Sequence, residues 1–262
     1  MKNLDFKKLL VLLIILVIAA VAIFFIIKGV QNNKETKKVI ENAEAISIKY
    51  YANLTEGYTT PYGGIDILYK NDKTKFTDLN FAVVLNTAIK YTKENGIDTK
   101  VSTVALNSLN NKEYGKITDY IAYSGKGIRQ AIKELFGTTI EDRTVTSKYG
   151  YAYDFYYNKD YDIYLMKRNE NKSTIVMEQS MDYKVIETTK KDDKIITTIA
   201  IAYVYDDEVS KIYAKDSAGE NIVSENSDEF PVDKIDEFDK FKIIVKQTED
   251  NKLVFDSVEK VK

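Results

Sequence analysis

Five aromatic side chains recur at every second position in the middle of the chain. They are Tyr149, Tyr151, Tyr153, Phe155 and Tyr157. Because alternate residues of a strand share one face, this spacing predicts a β-strand over Thr144–Tyr157 with its rings in a row. Such rings could stack on a sugar or peptide, with Tyr151, Tyr153 and Tyr157 as the candidate binding residues. The favoured alternative is a sheet face buried beneath helices, since aromatic stripes at the period of an element usually belong to the core.

Oxygen-bearing side chains at alternate positions follow directly. Asn158, Asp160 and Asp162 have the spacing of the first three ligands of a calcium loop. The sixth position of such a loop needs glycine but holds Ile163, and Glu170 lies one residue beyond the required twelfth place. A hairpin turn explains these residues better, and we predict no metal site.

A glycine-rich stretch, Ser124-Gly125-Lys126-Gly127, superficially resembles a phosphate-binding loop. Helix N-termini attract anions, but the spacing of a phosphate loop is not met. An N-capped helix beginning after Ser124 accounts for the same residues.

The chain has no histidine and no cysteine. These absences exclude a Ser-His-Asp triad, a thiol nucleophile, a disulfide framework and a typical zinc site. Paired carboxylates remain possible among the 40 acidic residues, so a carboxylate-based hydrolase is an open but less favoured alternative. We predict a protein that is not an enzyme and uses no cofactor.

An uninterrupted apolar run of nineteen residues occupies positions 9–27. As an α-helix it would cover roughly 28 Å, close to the hydrocarbon thickness of a bilayer. The alternative is a signal peptide cleaved after Ala20-Val21-Ala22, but the run continues for five further residues, to Ile27. The sequence therefore predicts a stub at 1–8, a single transmembrane anchor at 9–28 and a domain at 32–262.

Lysines flank the apolar run on both sides, so the positive-inside rule does not decide the orientation of the anchor in the membrane. The preceding segment is very short, and long downstream domains cross membranes largely regardless of charge. We therefore expect a cytoplasmic N-terminus and an extracytoplasmic domain in the cell envelope. Abundant Lys, Asn, Ile and Tyr suggest AT-rich codons and a bacterial source.

The charge of the domain argues against nucleic acid. With four lysines and one aspartate beside the apolar run set aside, 34 basic and 39 acidic residues remain. A net charge of -5 repels phosphate backbones, and no basic stripe is visible. Nucleic acid is thus not an expected partner.

The first part of the domain, 32–137, shows helical periodicity. The sequence predicts a helix over Lys34–Asn53, a second from Thr77 or Asp78 to Asn95, and a third over Gly125–Phe136. Gly96 and Gly137 are expected to end the second and third helices by adopting the left-handed backbone conformation. The part between the second and third helices, 97–123, gives no clear pattern.

The second part, 138–262, shows the period of β-strands. Beyond the tyrosine row and its partner at Tyr161–Lys167, three hairpins are predicted. Their arms are Asp182–Thr189 with Lys194–Tyr205, Lys211–Lys215 with Asn221–Ser224, and Phe241–Lys246 with Leu253–Val258. The arm Lys194–Tyr205 is apolar or β-branched on both faces, which is typical of a central strand.

Helices followed by antiparallel strands predict an α+β fold with helices packed on a curved antiparallel sheet. With its N-terminal anchor and the terminal hairpin FKIIVKQTEDNKLVFDSVEKV, the chain resembles bacterial envelope proteins with an NTF2-like (cystatin-like) extracytoplasmic domain, and surface proteins of low-GC Gram-positive bacteria. Such domains include single-pass subunits of conjugation and secretion machines that act as assembly scaffolds. The resemblance implies a membrane-tethered interaction or scaffold protein. The alternative is a module that binds peptide or wall carbohydrate through its tyrosines.

Overall fold

The computed structural model of the protein describes residues 36–50, 72–109, 114, 116–146, 153–168, 179–206, 211–216 and 219–262. The chain divides into two compact units, 1–42 and 43–262. Only residues 36–42 of the first unit are described, and they are helical. The predicted stub and anchor lie outside the described residues. Within the described part of the chain, no helix is long and apolar enough to cross a membrane.

Four α-helices belong to the described part of the chain: α1 at 36–50, α2 at Phe81–Asn95, α3 at Thr103–Leu109 and α4 at Gly125–Phe136. The Asn80 side chain caps α2 by accepting a hydrogen bond from the Ala82 N–H, so α2 begins later than predicted. Ser124 caps α4 as expected, and Gly96 and Gly137 end α2 and α4 with positive φ. A short 3₁₀ helix, Phe76–Asp78, occupies the predicted start of α2.

A small antiparallel sheet has three strands in the order β2, β4, β3. Their bounds are Ile121–Ser124 for β2, Tyr153–Asn158 for β3 and Ile163–Arg168 for β4. Val145 and Phe155 exchange backbone hydrogen bonds of 2.7 and 2.8 Å as an isolated antiparallel bridge. The prediction of one continuous strand over Thr144–Tyr157 is therefore wrong, because two residues of a single strand cannot pair with each other.

A larger antiparallel sheet contains seven strands. They are β1 (Lys73–Lys75), β5 (Gln179–Lys191), β6 (Lys194–Asp206), β7 (Lys211–Ala214), β8 (Ile222–Ser227), β9 (Asp239–Gln247) and β10 (Leu253–Lys260). The order is β1-β10-β9-β6-β7-β8, and β5 pairs with the other side of β6. All three predicted hairpins are present. β6 is the predicted central strand, with β5 along one side and β9 followed by β7 along the other.

The helices join the two sheets. α2 and α4 contact each other, α4 contacts both β2 and β10, and α2 contacts β3. Nine of the fifteen residues of α2 are buried, so this helix is enclosed on most sides. At the C-terminal end of α4, the rings of Tyr50, Phe136 and Phe255 cluster with centroids 5.4–6.0 Å apart. The predicted α+β class, with helices and a curved antiparallel sheet, is confirmed.

Candidate functional site

The described part of the tyrosine row lies on β3. Tyr153, Phe155 and Tyr157 share one face of the small sheet, as the spacing predicts. Phe155 is completely buried, whereas Tyr153 and Tyr157 are half-buried. The ring of Tyr157 is tilted against that of Tyr164, with centroids 4.9 Å apart. Tyr151 lies outside the described residues. The row therefore contributes to the core at Phe155, and a binding role for Tyr151, Tyr153 and Tyr157 stays a prediction.

Beside Tyr157 lies a group of polar side chains that meets at Arg129 of α4. The Arg129 guanidinium donates through Nη1 and Nη2 to the two carboxylate oxygens of Asp162, each at 2.7 Å. Nη1 also donates to Asp142 Oδ2 at 2.6 Å. The hydroxyls of Tyr157 and Tyr164 donate to Asp162 and Asp142 at 2.9 and 2.7 Å. We refer to these five residues as the Arg129 network.

The protonation states in the Arg129 network follow from its contacts. The hydrogen bonds from Arg129 hold the pKa of Asp162 below its ordinary value, although partial burial opposes the shift. Burial raises the pKa of the Tyr164 hydroxyl, and its hydrogen bond to Asp142 raises it further. The pKa of Tyr157 is raised by burial and by Asp162 in the same way. Asp162 is thus ionised and both tyrosines are neutral at neutral pH, a state suited to holding structure rather than to transferring protons.

Asp162 also lies at the N-terminus of α4. Its carbonyl oxygen accepts from the Gly125 N–H at 2.7 Å, and its carboxylate accepts a hydrogen bond from the Lys126 backbone. A Cβ atom on Gly125 would come within 2.2 Å of Asp162 Oδ1, so this close approach requires glycine. The helix end that resembles a phosphate-binding loop therefore receives an anion from its own chain. Asp162 is also the third residue of the calcium-like spacing that begins at Asn158. Its carboxylate is therefore engaged by groups of the protein itself.

A second polar feature is the strongly acidic segment 219–239, whose exposed residues we refer to as the acidic surface. This segment contains eight carboxyl groups and one lysine. The amine of Lys234 donates to the Val223 carbonyl at 2.9 Å, while Asp236 and Asp239 pair with Lys240 and Lys260. The remaining six carboxylates are exposed and have no ion pair in the described part of the chain. They are Glu220, Glu225, Asp228, Glu229, Asp233 and Glu237.

Two large apolar side chains are exposed on the acidic surface. Ile222 is 46% and Val232 52% accessible. Phe230 of the same segment packs between Tyr213 and Phe238, with ring centroids 5.9 and 5.0 Å apart. All three rings are buried. Residues 219–239 therefore combine exposed negative charge with two exposed apolar side chains and with buried aromatic rings.

No protein-family model, curated protein or solved structure matches this chain. The resemblance to NTF2-like envelope domains therefore stays a prediction.

A groove of about 740 Å³ lies between the end of α4 and the turn joining β9 to β10. It is lined by Phe136 and Val254 and by three carboxyl groups, those of Asp193, Glu249 and Asp256. Asp193 pairs with Lys246, and Asp256 pairs with Lys194 at 3.1 Å. Burial acts to raise the pKa of Asp256, but hydrogen bonds from Lys194 and Ser257 leave it below its ordinary value. A carboxyl group with a lowered pKa is a poor proton donor at neutral pH, so Asp256 does not suit the general acid of a glycoside hydrolase.

Sequence reasoning identified Asp162 and Tyr157 but not the arginine that brings them together. Arginine occurs only three times in the chain, among 38 basic residues. In a chain that otherwise uses lysine, an arginine signals a site where a planar, bidentate donor is needed. Asp142 gave no comparable signal, because one carboxyl among 40 acidic residues is indistinguishable by type.

Proposed function

We propose that this protein is a membrane-tethered, extracytoplasmic interaction or scaffold protein. The observation that carries the interaction role is the acidic surface with its exposed Ile222 and Val232. The apolar run at 9–27 supports the tether, since its length matches the thickness of a bilayer.

The chemistry of the acidic surface favours one class of partner. Its six exposed carboxylates, which have no ion pair among the described residues, attract lysine and arginine side chains and repel anionic polymers. Covering Ile222 and Val232 is favourable when the partner presents apolar groups to them, because apolar surface then moves from water into an apolar environment. A partner protein with a basic and apolar surface satisfies both conditions. A phosphate-rich wall polymer satisfies neither.

The test uses a photo-crosslinking residue at Val232 in the full-length chain, in cells that make the protein natively. We expect a discrete crosslinked partner that is lost when Asp233 and Glu237 are both replaced by lysine. The matched control replaces Glu249 and Asp250 by lysine in an exposed turn, which adds the same charge elsewhere. Equal crosslinking in both double variants, or no crosslink from Val232, would contradict the proposal.

The second candidate function is binding of a peptide or wall carbohydrate through the tyrosine face. The half-exposed rings of Tyr153 and Tyr157 support it. The hydroxyl of Tyr157 donates to Asp162 and so already belongs to the Arg129 network. Replacing Tyr153 by leucine should weaken retention on purified wall material if this candidate is correct. Unchanged retention would remove it.

A further inference from the structure

The groove between the end of α4 and the β9–β10 turn shares no residue with the acidic surface. Its volume of about 740 Å³ lies within the range of roughly 300–1,000 Å³ that is typical of ligand sites. Every residue that lines it belongs to the described part of the chain. The buried side chains of Phe136, Val254 and Phe255 make part of its wall apolar. A ligand that places an apolar group against this wall moves apolar surface out of water.

The charges around the groove are not balanced. Asp193 pairs with Lys246 at 3.4 Å, and Asp256 pairs with Lys194 at 3.1 Å. Glu249, by contrast, is exposed and has no ion pair in the part of the chain that the structure describes. The groove therefore has one uncompensated carboxylate, which attracts a cationic group.

The same turn also provides a hydrogen-bond donor. Asn251 accepts through Oδ1 from the side chain of Gln247 at 3.1 Å, whereas its own amide nitrogen donates to none of the described residues. An amide NH₂ group can donate to a carbonyl oxygen. Glu249 and Asn251 both line the groove, so a carboxylate acceptor, an amide donor and an apolar wall occur together. A peptide carries a matching group for each of them, whereas a simple amine lacks the carbonyl.

We propose that this groove binds a short peptide segment in which a lysine is next to an apolar residue. The lysine ammonium pairs with Glu249, and the apolar side chain lies against Phe136 and Val254. A backbone carbonyl of the peptide accepts a hydrogen bond from the Asn251 amide. The inference goes beyond the proposed function, because this site lies outside the acidic surface and requires no tether.

The absence of tryptophan from the chain allows binding to be measured on the full-length protein in nonionic detergent. The indole of acetyl-Lys-Trp-Leu-amide can be excited at wavelengths that tyrosine does not absorb. Its fluorescence anisotropy should rise to a plateau as protein is added, and detergent alone should give no such rise. Acetyl-Glu-Trp-Leu-amide should bind at least about tenfold more weakly, because its carboxylate meets Glu249. Equal binding of the two peptides, or no binding of the lysine peptide, would overturn the proposal.

Two neighbouring carboxylates of the turn give matched variants. Both are exposed, but Glu249 lines the groove and Asp250 does not. Glu249→Gln should weaken binding of the lysine peptide at least about fivefold, whereas Asp250→Gln should change it less than about twofold. Glu249→Lys should reverse the preference in favour of the glutamate peptide, with circular dichroism confirming the fold. Equal losses in the two glutamine variants, or an unchanged preference in Glu249→Lys, would contradict the assignment of the groove.

Competition separates a peptide ligand from a simple amine. Acetyl-Lys-Leu-Leu-amide should displace the fluorescent peptide at a concentration at least about tenfold lower than n-butylamine, which has an ammonium group but no carbonyl. Asn251→Gly removes the donor and suits the positive φ of 60° at this position. It should weaken the competing peptide and leave the effect of n-butylamine unchanged. Displacement by both compounds at equal concentration would show that only the ammonium group is recognised, and would refute a peptide ligand.

Discussion

At the residue scale, Arg129 joins parts of the chain that are distant in sequence. It contacts Asp142, thirteen residues away, and Asp162, thirty-three residues away. These contacts fix α4 against the loop before β3 and the turn before β4. Since Arg129 is 35% and Asp162 40% exposed, solvent weakens their attraction relative to a fully buried pair.

Replacing Arg129 by methionine should lower the free energy of unfolding by about 1–2 kcal/mol, because two carboxylates lose charge-assisted hydrogen bonds. Urea denaturation followed by circular dichroism measures the change. Lys49→Met is the control, since its pair with Glu94 at 3.0 Å is largely exposed and should contribute less than about 0.5 kcal/mol. Equal losses in the two variants would contradict the role given to Arg129.

The Arg129 network should also make stability depend on pH. Because the folded pKa of Asp162 is below its unfolded value of about 3.9, its contribution is present above that value and is lost as pH falls through the folded pKa. Wild type should therefore lose more stability than Arg129→Met when pH is lowered from 6 to about 3. Denaturation midpoints across this range test the difference. Parallel pH curves for the two proteins would show that Asp162 does not depend on Arg129.

At the element scale, the sequence predicted the features that neighbouring residues determine, such as the ends of helices. Ser124 and Gly137 mark both ends of α4 because capping needs only neighbouring residues. The two apolar faces of β6 identified the central strand. Long-range pairing was not predictable. The antiparallel bridge between Val145 and Phe155 requires the chain to change direction between these two residues, and the alternating aromatic pattern does not indicate such a change. The Arg129 network was missed for the same reason, because its members meet only after folding.

The contrast between central and edge strands gives a matched prediction. Ile199 of β6 and Val185 of β5 are direct cross-strand partners, but Ile199 is fully buried and Val185 only partly. Ile199→Ala should cost about 2–5 kcal/mol of unfolding free energy because it leaves a cavity in the core. Val185→Ala should cost about 1 kcal/mol or less. Similar losses would mean that β5 is as enclosed as β6.

At the scale of the whole molecule, the acidic surface includes β8 and the residues that flank this strand. A tether would concentrate the chain in a membrane plane and favour even a weak contact with a partner in the same membrane. The proposed binding therefore depends on the domain being held where its partner is.

Site-specific labelling of the cysteine-free chain tests the tether most directly. Single cysteines at Asn3 and Lys191 are exposed to a membrane-impermeant maleimide in intact cells, and membranes are then washed with alkaline carbonate. We expect that the protein stays in the washed membranes, that Lys191→Cys is labelled in intact cells, and that Asn3→Cys is labelled only after lysis. Recovery of the protein in the soluble fraction, or labelling of Asn3→Cys but not Lys191→Cys in intact cells, would contradict it.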